Sequence, residues 1–372
     1  MNGVADSTKC LILLSEILTV RESGSASSSV RRESRALEQL SRVAACLSQE
    51  ELVELGALAN SHHVTMRTFP ALRQMMTLEG NSHSAEWIEN AIEKERARIQ
   101  NALSLLEPIC GALEEAGKVV VIKSLDHWPD LGSDLDLYAD AEGGDVVAIM
   151  RRRFQAELAE RSWGDRLANK WNFVVPGLPE LVEVHVGRLG QTGEQIAVAQ
   201  SLVARSRPTQ LASHEFQVPA PEERLVISAL QRMYRHFYIR LCDIVDNARL
   251  VEAGAVDYLY LRSLAQSAGL WDGLATYLVI ISDYVKLYRG EGLPLPDLVR
   301  SAARFGGEEI VFRRNFLRIP LLPHSAKLYA SELTRLLLNG EIRNTLRLSL
   351  LPGLATAAAL ELKLTGSDKG IW

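Results

Sequence analysis

The spacing of apolar residues along this chain changes period twice, and those changes divide it. Leu37, Leu40, Val43, Ala44 and Leu47 recur every three or four positions, which is the signature of one buried helical face. Ser48, with Glu51 three residues later, forms a capping box that predicts the start of another helix. A longer helical pattern runs over residues 84–116 through Trp87, Ile88, Ile92, Ile99, Leu103, Leu106, Ile109 and Leu113, bent at Pro108 and stopped by Gly117. The period then shortens. Residues 119–123 form a β-branched run, Asp134–Ala139 alternates, and residues 171–175 and 181–186 read as strands joined by the turn Pro176-Gly177-Leu178-Pro179. Residues 143–161 read as a helix between them. After Pro221 the helical spacing returns over 222–251, 257–268, 271–288, 296–305 and 331–338. The expected fold class is therefore α+β, with a small mixed β-sheet core embedded between helical N-terminal and C-terminal regions. The expected divisions are an N-terminal helix and flexible Ser/Gly-rich linker (1–30), a helical region (31–116), the sheet-bearing core (117–215) and a helical C-terminal domain (216–372).

Composition narrows the classes of function. The chain has 372 residues, 47% of them hydrophobic, and a formal net charge of -5. That charge argues against a protein built to hold a long nucleic-acid backbone. Cys10, Cys46, Cys110 and Cys242 lie far apart with no ligand spacing, which suggests neither a zinc site nor a disulfide framework and fits reduced thiols in a cytoplasm. No stretch reaches the ~20 apolar residues of a membrane span. The Leu- and Ala-rich segment 348–362 is interrupted by Pro352, Gly353 and Glu361, and reads as an amphipathic terminal helix that packs on the body or forms a contact in a homo-oligomer.

Against this background one motif stands out. Asp134 and Asp136 flank a single apolar residue in Gly-Ser-Asp-Leu-Asp-Leu. A strand has period two, so both carboxylates leave the same face while Leu135 and Leu137 leave the other. Two acids on a buried strand require a compensating positive charge. A divalent cation on oxygen ligands is one source of it. A third acid, Glu183, sits in Leu-Val-Glu-Val-His-Val, where Glu183 and His185 share a face. If that strand neighbours the first, three carboxylates surround one site, the arrangement that metal-assisted phosphoryl or nucleotidyl transfer uses.

The order Lys123-Ser124, loop, Ser133-Asp134-Leu135-Asp136-Leu137, then Val182-Glu183-Val184-His185 resembles the DNA polymerase β-like nucleotidyltransferase superfamily, and within it the uncharacterised bacterial nucleotidyltransferase family. Residues 59–64 and 236–243 look like helical parts of that family, so the likeness extends over about residues 35–290. The resemblance implies that Asp134 and Asp136 hold Mg²⁺ or Mn²⁺ and that Glu183 is the third carboxylate and helps activate the acceptor. It also implies that an NTP, ATP first among them, is bound with help from Lys123, Ser124, Ser133 and His185. The acceptor would be a small molecule or a protein, not long nucleic acid or a membrane. The family carries Lys-Gly where this chain has Lys123-Ser124, so a Cβ stands where backbone would approach the phosphates. That departure motivates an alternative, a catalytically degenerate binding or interaction module on the same fold.

Other residues admit plainer readings. Glu183 alone is equally a structural acid paired with a nearby Arg such as Arg188, and His185 a second partner, a substrate contact or a strand histidine. His236, Arg240 and Asp243 recur at i, i+4 and i+7, one stripe of a helix, which faces either the cleft or an internal polar network. Arg151, Arg152 and Arg153 read as a solvated surface, Trp128 as a loop anchor or a lid, and His62-His63 as packing or surface residues.

Overall fold

The computed structural model describes residues 7–20, 30–354, 356, 357 and 360. The linker run 23–29 and residues 361–362 of the apolar C-terminal segment lie outside the described residues. The expected α+β class is what the chain forms. Helices α1 (Ser7–Val20), α2 (Val30–Ala45), α3 (Gln49–Ser61), α4 (Thr65–Leu78) and α5 (Ser82–Leu113) precede the sheet. The capping box at the start of α3 is present, with Ser48 Oγ accepting from Glu51 N–H and Glu51 accepting from Ser48 N–H.

The central sheet contains β1 (Val119–Val121), β2 (Asp134–Ala139), β3 (Glu157–Leu158), β4 (Lys170–Val174) and β5 (Leu181–Val186), in the spatial order β1-β2-β5-β4-β3. β2 and β5 run parallel and every other pair is antiparallel, so the sheet is mixed. Alternation sets its two faces. Leu135, Leu137, Val182 and Val184 pack with Leu103, Leu106 and Ile109 of α5 and with Val146 and Met150 of α6 (Gly143–Phe154), and each buried side chain contributes about 1.5–3 kcal/mol. The opposite face sends Val120, Ile122 and Tyr138 into a second core shared by helices from both ends of the chain. There α1 meets the long helix Trp271–Arg289, where Ser15 Oγ and Tyr284 Oη lie 2.7 Å apart.

Several boundaries differ from the sequence reading. The helix expected over 143–161 stops at Phe154, because Gln155 turns into the left-handed region (φ 53°, ψ 28°) and β3 follows. A hairpin of Arg207–Leu211 and His214–Val218 was not anticipated. Its two-residue loop places Ala212 at φ 53°, a position where Asn or Gly would have announced the turn. The helix expected over 222–251 is broken. Pro221–Ala229 runs into a widened π-type turn (Leu230–His236), then into the short strand Tyr238–Ile239, and only then into the helix Leu241–Glu252. That strand pairs with Phe316–Arg318 of a small second sheet. The apolar residues of 296–305 give a single helical turn, Asp297–Arg300, and the last long helix begins at Ala326 rather than 331. Among the described residues no helix is long and apolar enough to cross a membrane.

A buried cation joins the three regions. Arg67 on α4 donates from Nη2 to Asp246 Oδ1 at 2.5 Å, on the helix Leu241–Glu252, and to the Trp128 carbonyl at 2.9 Å, in the loop between β1 and β2. Asp130 of that same loop accepts from the backbone N–H of Met66 (2.7 Å) and Arg67 (3.2 Å). It thereby satisfies the first turn of α4, whose own N-cap Val64 offers no side-chain acceptor. Replacing Arg67 with Met leaves Asp130 and Asp246 buried without their guanidinium, and should cost about 3–5 kcal/mol in urea unfolding. A loss below about 1 kcal/mol, within the range of exposed ion pairs, would show that this cluster does not join the regions.

Candidate functional site

The chain leaves β1 through a tight turn that sets the site. Lys123 lies at φ 60°, ψ −56°, and Ser124 N–H donates to Ile122 O at 2.6 Å, an uncommon and strained γ-turn for a residue with a Cβ. Ser124 follows it, fully buried. Its hydroxyl accepts from Asp136 N–H at 2.7 Å and donates to Asp134 O at 3.0 Å. A side chain thus continues the β1–β2 ladder past the point where the backbone turns away.

On β2 and β5 the acids converge as the sequence anticipated. The parallel register sets Asp136 directly against Glu183, with Asp134 one pleat earlier against Leu181. What compensates them is protein. The Lys123 ammonium rests against Asp136 Oδ1 and lies 3.8 Å from Glu183 Oε1. Lys170, at the start of β4, reaches Glu183 Oε2 at 2.9 Å and Asp165 Oδ1 at 2.8 Å. His185 Nε2 is 2.9 Å from Glu183 Oε1 and 3.7 Å from Asp136 Oδ1. Burial opposes the charge on Glu183, yet Lys123, the His185 hydrogen bond and Lys170 hold its carboxyl well below the usual carboxylate range. Asp134 is different. It has no cation partner among the described residues, only Ser133 Oγ at 3.4 Å, and burial followed by the charges of Asp136 and Glu183 pushes its carboxyl up.

Ligand atoms of Asp136, Glu183 and His185 lie within 4.8 Å of one another, with Asp136 Oδ1 held by the Lys123 ammonium. Asp134 lies outside that set, on the same face of β2, and the set fits a divalent cation such as Mg²⁺, or Mn²⁺ where the His185 nitrogen takes part. Lys123 has to yield its place on Asp136 for that to happen, which its flexible stem permits. Two cavities flank Lys123. One, of about 20 Å³, is lined by Asp126, His127, Arg224, Asp243 and Asp246. The other, of about 40 Å³, is lined by His185, Leu189, Gln191, Ile227 and Arg235.

Asp134, Asp136, Glu183, Lys123, Ser133 and His185 therefore gather at one place, and two expectations need correction. Ser124 does not offer its hydroxyl to a phosphate, because both hydrogen-bonding functions are occupied by the β2 backbone. His236, Arg240 and Asp243 do not share a helical stripe, because Phe237 turns left-handed (φ 54°) and a strand intervenes. Arg240 and Asp243 belong to an internal network instead: Arg240 Nη1 meets His63 Nε2 at 2.6 Å, Asp243 Oδ2 accepts from Arg240 N–H at 2.7 Å and pairs with the Arg232 guanidinium, while the His236 ring lies against Tyr238. Of the three, Asp243 alone is among the residues lining a cavity beside Lys123. Glu183 pairs with lysines rather than with Arg188. Trp128 is an anchor, half-buried in the α5 side of the core, and His62 is a buried packing residue, held between Leu241 N–H and Asn315 O. The arginines of 151–153 are solvated, with Arg152 and Arg153 paired to Glu115.

Sequence reasoning missed Lys170 and Arg235. For Lys170 a signal existed: a lysine opening a strand that folds back on Val-Glu-Val-His lies opposite His185. Arg235 had none, since its place depends on the π-type turn. The fold and site together define a mixed-sheet α+β protein with a lysine-neutralised carboxylate cluster at the β2–β5 pair. No protein-family model, curated protein or solved structure matches the chain.

Ser124→Gly restores the residue that the resemblance leads one to expect and leaves Asp136 N–H and Asp134 C=O without their partner. It should destabilise the fold by about 1–3 kcal/mol, measured by chemical denaturation, without tightening nucleotide binding. Unchanged stability with tighter nucleotide binding would return Ser124 to a phosphate-contacting role.

Proposed function

We propose that this protein is a metal-dependent nucleotidyltransferase that moves a nucleoside monophosphate from an NTP to a small-molecule or protein acceptor. The observation that carries the reading is the register pairing Asp136 with Glu183 on adjacent parallel strands, with Asp134 on the same face. The topology agrees with it: an antiparallel β1–β2 pair with Lys123-Ser124 at the turn, and a third acid on the next strand over. This is the order of elements on which the likeness to the polymerase β-like superfamily rests.

In this reading Asp134, Asp136 and Glu183 would hold Mg²⁺, which when bound neutralises the triphosphate and lowers the pKa of the attacking hydroxyl. The acceptor oxygen attacks the α-phosphorus, the bond to the β-phosphoryl oxygen breaks, and pyrophosphate leaves. Glu183, beside Asp136, is the carboxylate that would help activate the acceptor and take its proton. Lys123, released from Asp136, becomes a point charge for the departing pyrophosphate. Lys170 and His185 keep Glu183 ionised and oriented.

A second reading has its own support. Lys123 and Lys170 already neutralise Asp136 and Glu183, which is how a sheet that has lost its metal would satisfy those acids. A non-catalytic nucleotide-binding module is thus the alternative.

Pyrophosphate release from ATP, GTP, CTP and UTP, with Mg²⁺ or Mn²⁺ and a panel of hydroxyl and amine acceptors, separates the two. Nucleotidyl transfer predicts release that falls at least about 100-fold in Asp136→Asn, the scale of losing a catalytic electrostatic group. NTP binding without release would favour the binding module, and neither binding nor release would remove both readings.

A further inference from the structure

The small cavity of about 40 Å³ beside Lys123 is lined by Ile122, Leu189, Ile227 and Leu230, by Gln191 and Gln231, and by Lys123, His185 and Arg235. None of the residues lining it is acidic. Across Lys123 the other cavity carries Asp126, Asp243 and Asp246, so the two sides of this lysine differ in charge. Arg235 also borders a third hollow with His185, Lys170 and Asp165, which places its guanidinium along the path from the carboxylate cluster into the acid-free cavity.

Arg235, like the half-buried Arg188, differs from the ion-paired arginines. Arg67, Arg98, Arg205, Arg224 and Arg232 each face one or more carboxylates, whereas half-buried Arg235 has no hydrogen-bond or ion-pair partner among the described residues. Its guanidinium keeps contact with solvent and is open to an anion. The backbone that presents it is also irregular. Gln231 and Arg235 of the π-type turn Leu230–His236 line the same cavity, and such turns recur at functional sites. The local potential is positive: after burial, Arg235, Arg232, Lys123 and Arg240 push the neighbouring His236 imidazole down to about 2.

We infer that Arg235, together with Lys123, forms an anion subsite that holds the polyphosphate of the nucleotide. The planar fork of the guanidinium matches phosphate oxygens with paired donors. It supplies from a side chain the phosphate contact that the backbone at Ser124 does not offer. The identity of the anion rests on the nucleotidyl-transfer reading, while the anion site itself stands on the geometry.

Titration calorimetry of the full chain with inorganic tripolyphosphate, and separately with a nonhydrolysable ATP analogue and Mg²⁺, tests the inference. The variants are Arg235→Gln, Arg235→Lys and, as a charge control on the exposed surface, Arg152→Gln. The expected result is binding of both probes by the native protein, weakened on the order of tenfold or more in Arg235→Gln, partly restored in Arg235→Lys and unchanged in Arg152→Gln. Circular dichroism should match the native protein throughout, since Arg235 has no partner to lose. ATP-analogue affinity unaltered in Arg235→Gln would overturn the inference and leave nucleotidyl transfer standing. Arg235-dependent tripolyphosphate binding without any binding of NTP would keep the anion site and remove the nucleotide reading. No binding of either probe would overturn both.

Discussion

The Arg67 guanidinium is the interaction on which the arrangement of this protein turns. It is buried on a helix of the N-terminal region, and it reaches the loop after β1 and the helix Leu241–Glu252 at once. Asp246 answers it and also lies 2.6 Å from His127 Nδ1, so the loop carrying Lys123 and Ser124 is tied to both flanking helical regions by charge. Burying such groups is costly one at a time and tolerable only as a connected set. The consequence for function is positional. A loop held at Trp128, Asp130 and His127 leaves little freedom at Lys123, which accepts a strained backbone as a result, and Ser124 then fixes β2 relative to it.

That fixed geometry explains how three carboxylates coexist on a buried sheet. Lys123 and Lys170 stand in for an external cation, and His185 completes the shell around Glu183. Asp136 and Glu183 are thereby paired without a ligand, while Asp134 is not. Lys123 has two possible anionic partners, a carboxylate of its own sheet or the phosphate of a nucleotide, and a metal ion on Asp136 would decide between them by displacing the ammonium. Asp134, unpaired and at the mouth, is where the arrangement is incomplete as it stands. The unpaired Arg235 marks a second incomplete place on the opposite, acid-free side. Two unmet charges of opposite sign around one mobile lysine suit a ligand that brings both a cation and an anion.

Much of the sheet was legible from residue order. Alternation in Asp134–Ala139 and Leu181–Val186 fixed which side chains point away from the α5 side of the core, and the register then brought Asp136 to Glu183 as the motif required. The capping box at Ser48 was likewise visible, because caps and alternation are local. The parts that were not visible depend on tertiary context. Spacing alone made His236, Arg240 and Asp243 a stripe, but i and i+4 spacing does not reveal a left-handed Phe237 or a strand pairing with residues some 80 positions on, at 317 and 318. The hairpin of 207–218 lacked turn residues at Ala212-Ser213. Ser124 looked like a weakened phosphate loop because a sequence does not tell whether a hydroxyl faces a ligand or its own backbone. Lys170 was legible only through the register of its hairpin with β5, and Arg235 matters through what it faces across the fold, which single-position patterns do not carry.

The central claim is that the Asp134, Asp136 and Glu183 cluster exchanges its internal lysine for a metal–nucleotide complex. A crystal soaked with Mn²⁺ and a nonhydrolysable ATP analogue tests it directly through anomalous scattering. The account predicts a manganese peak among these carboxylates, with the Lys123 ammonium moved from Asp136 to a phosphate oxygen. Carboxylates without metal, and a Lys123–Asp136 pair left intact at saturating Mn²⁺ and nucleotide, would contradict it.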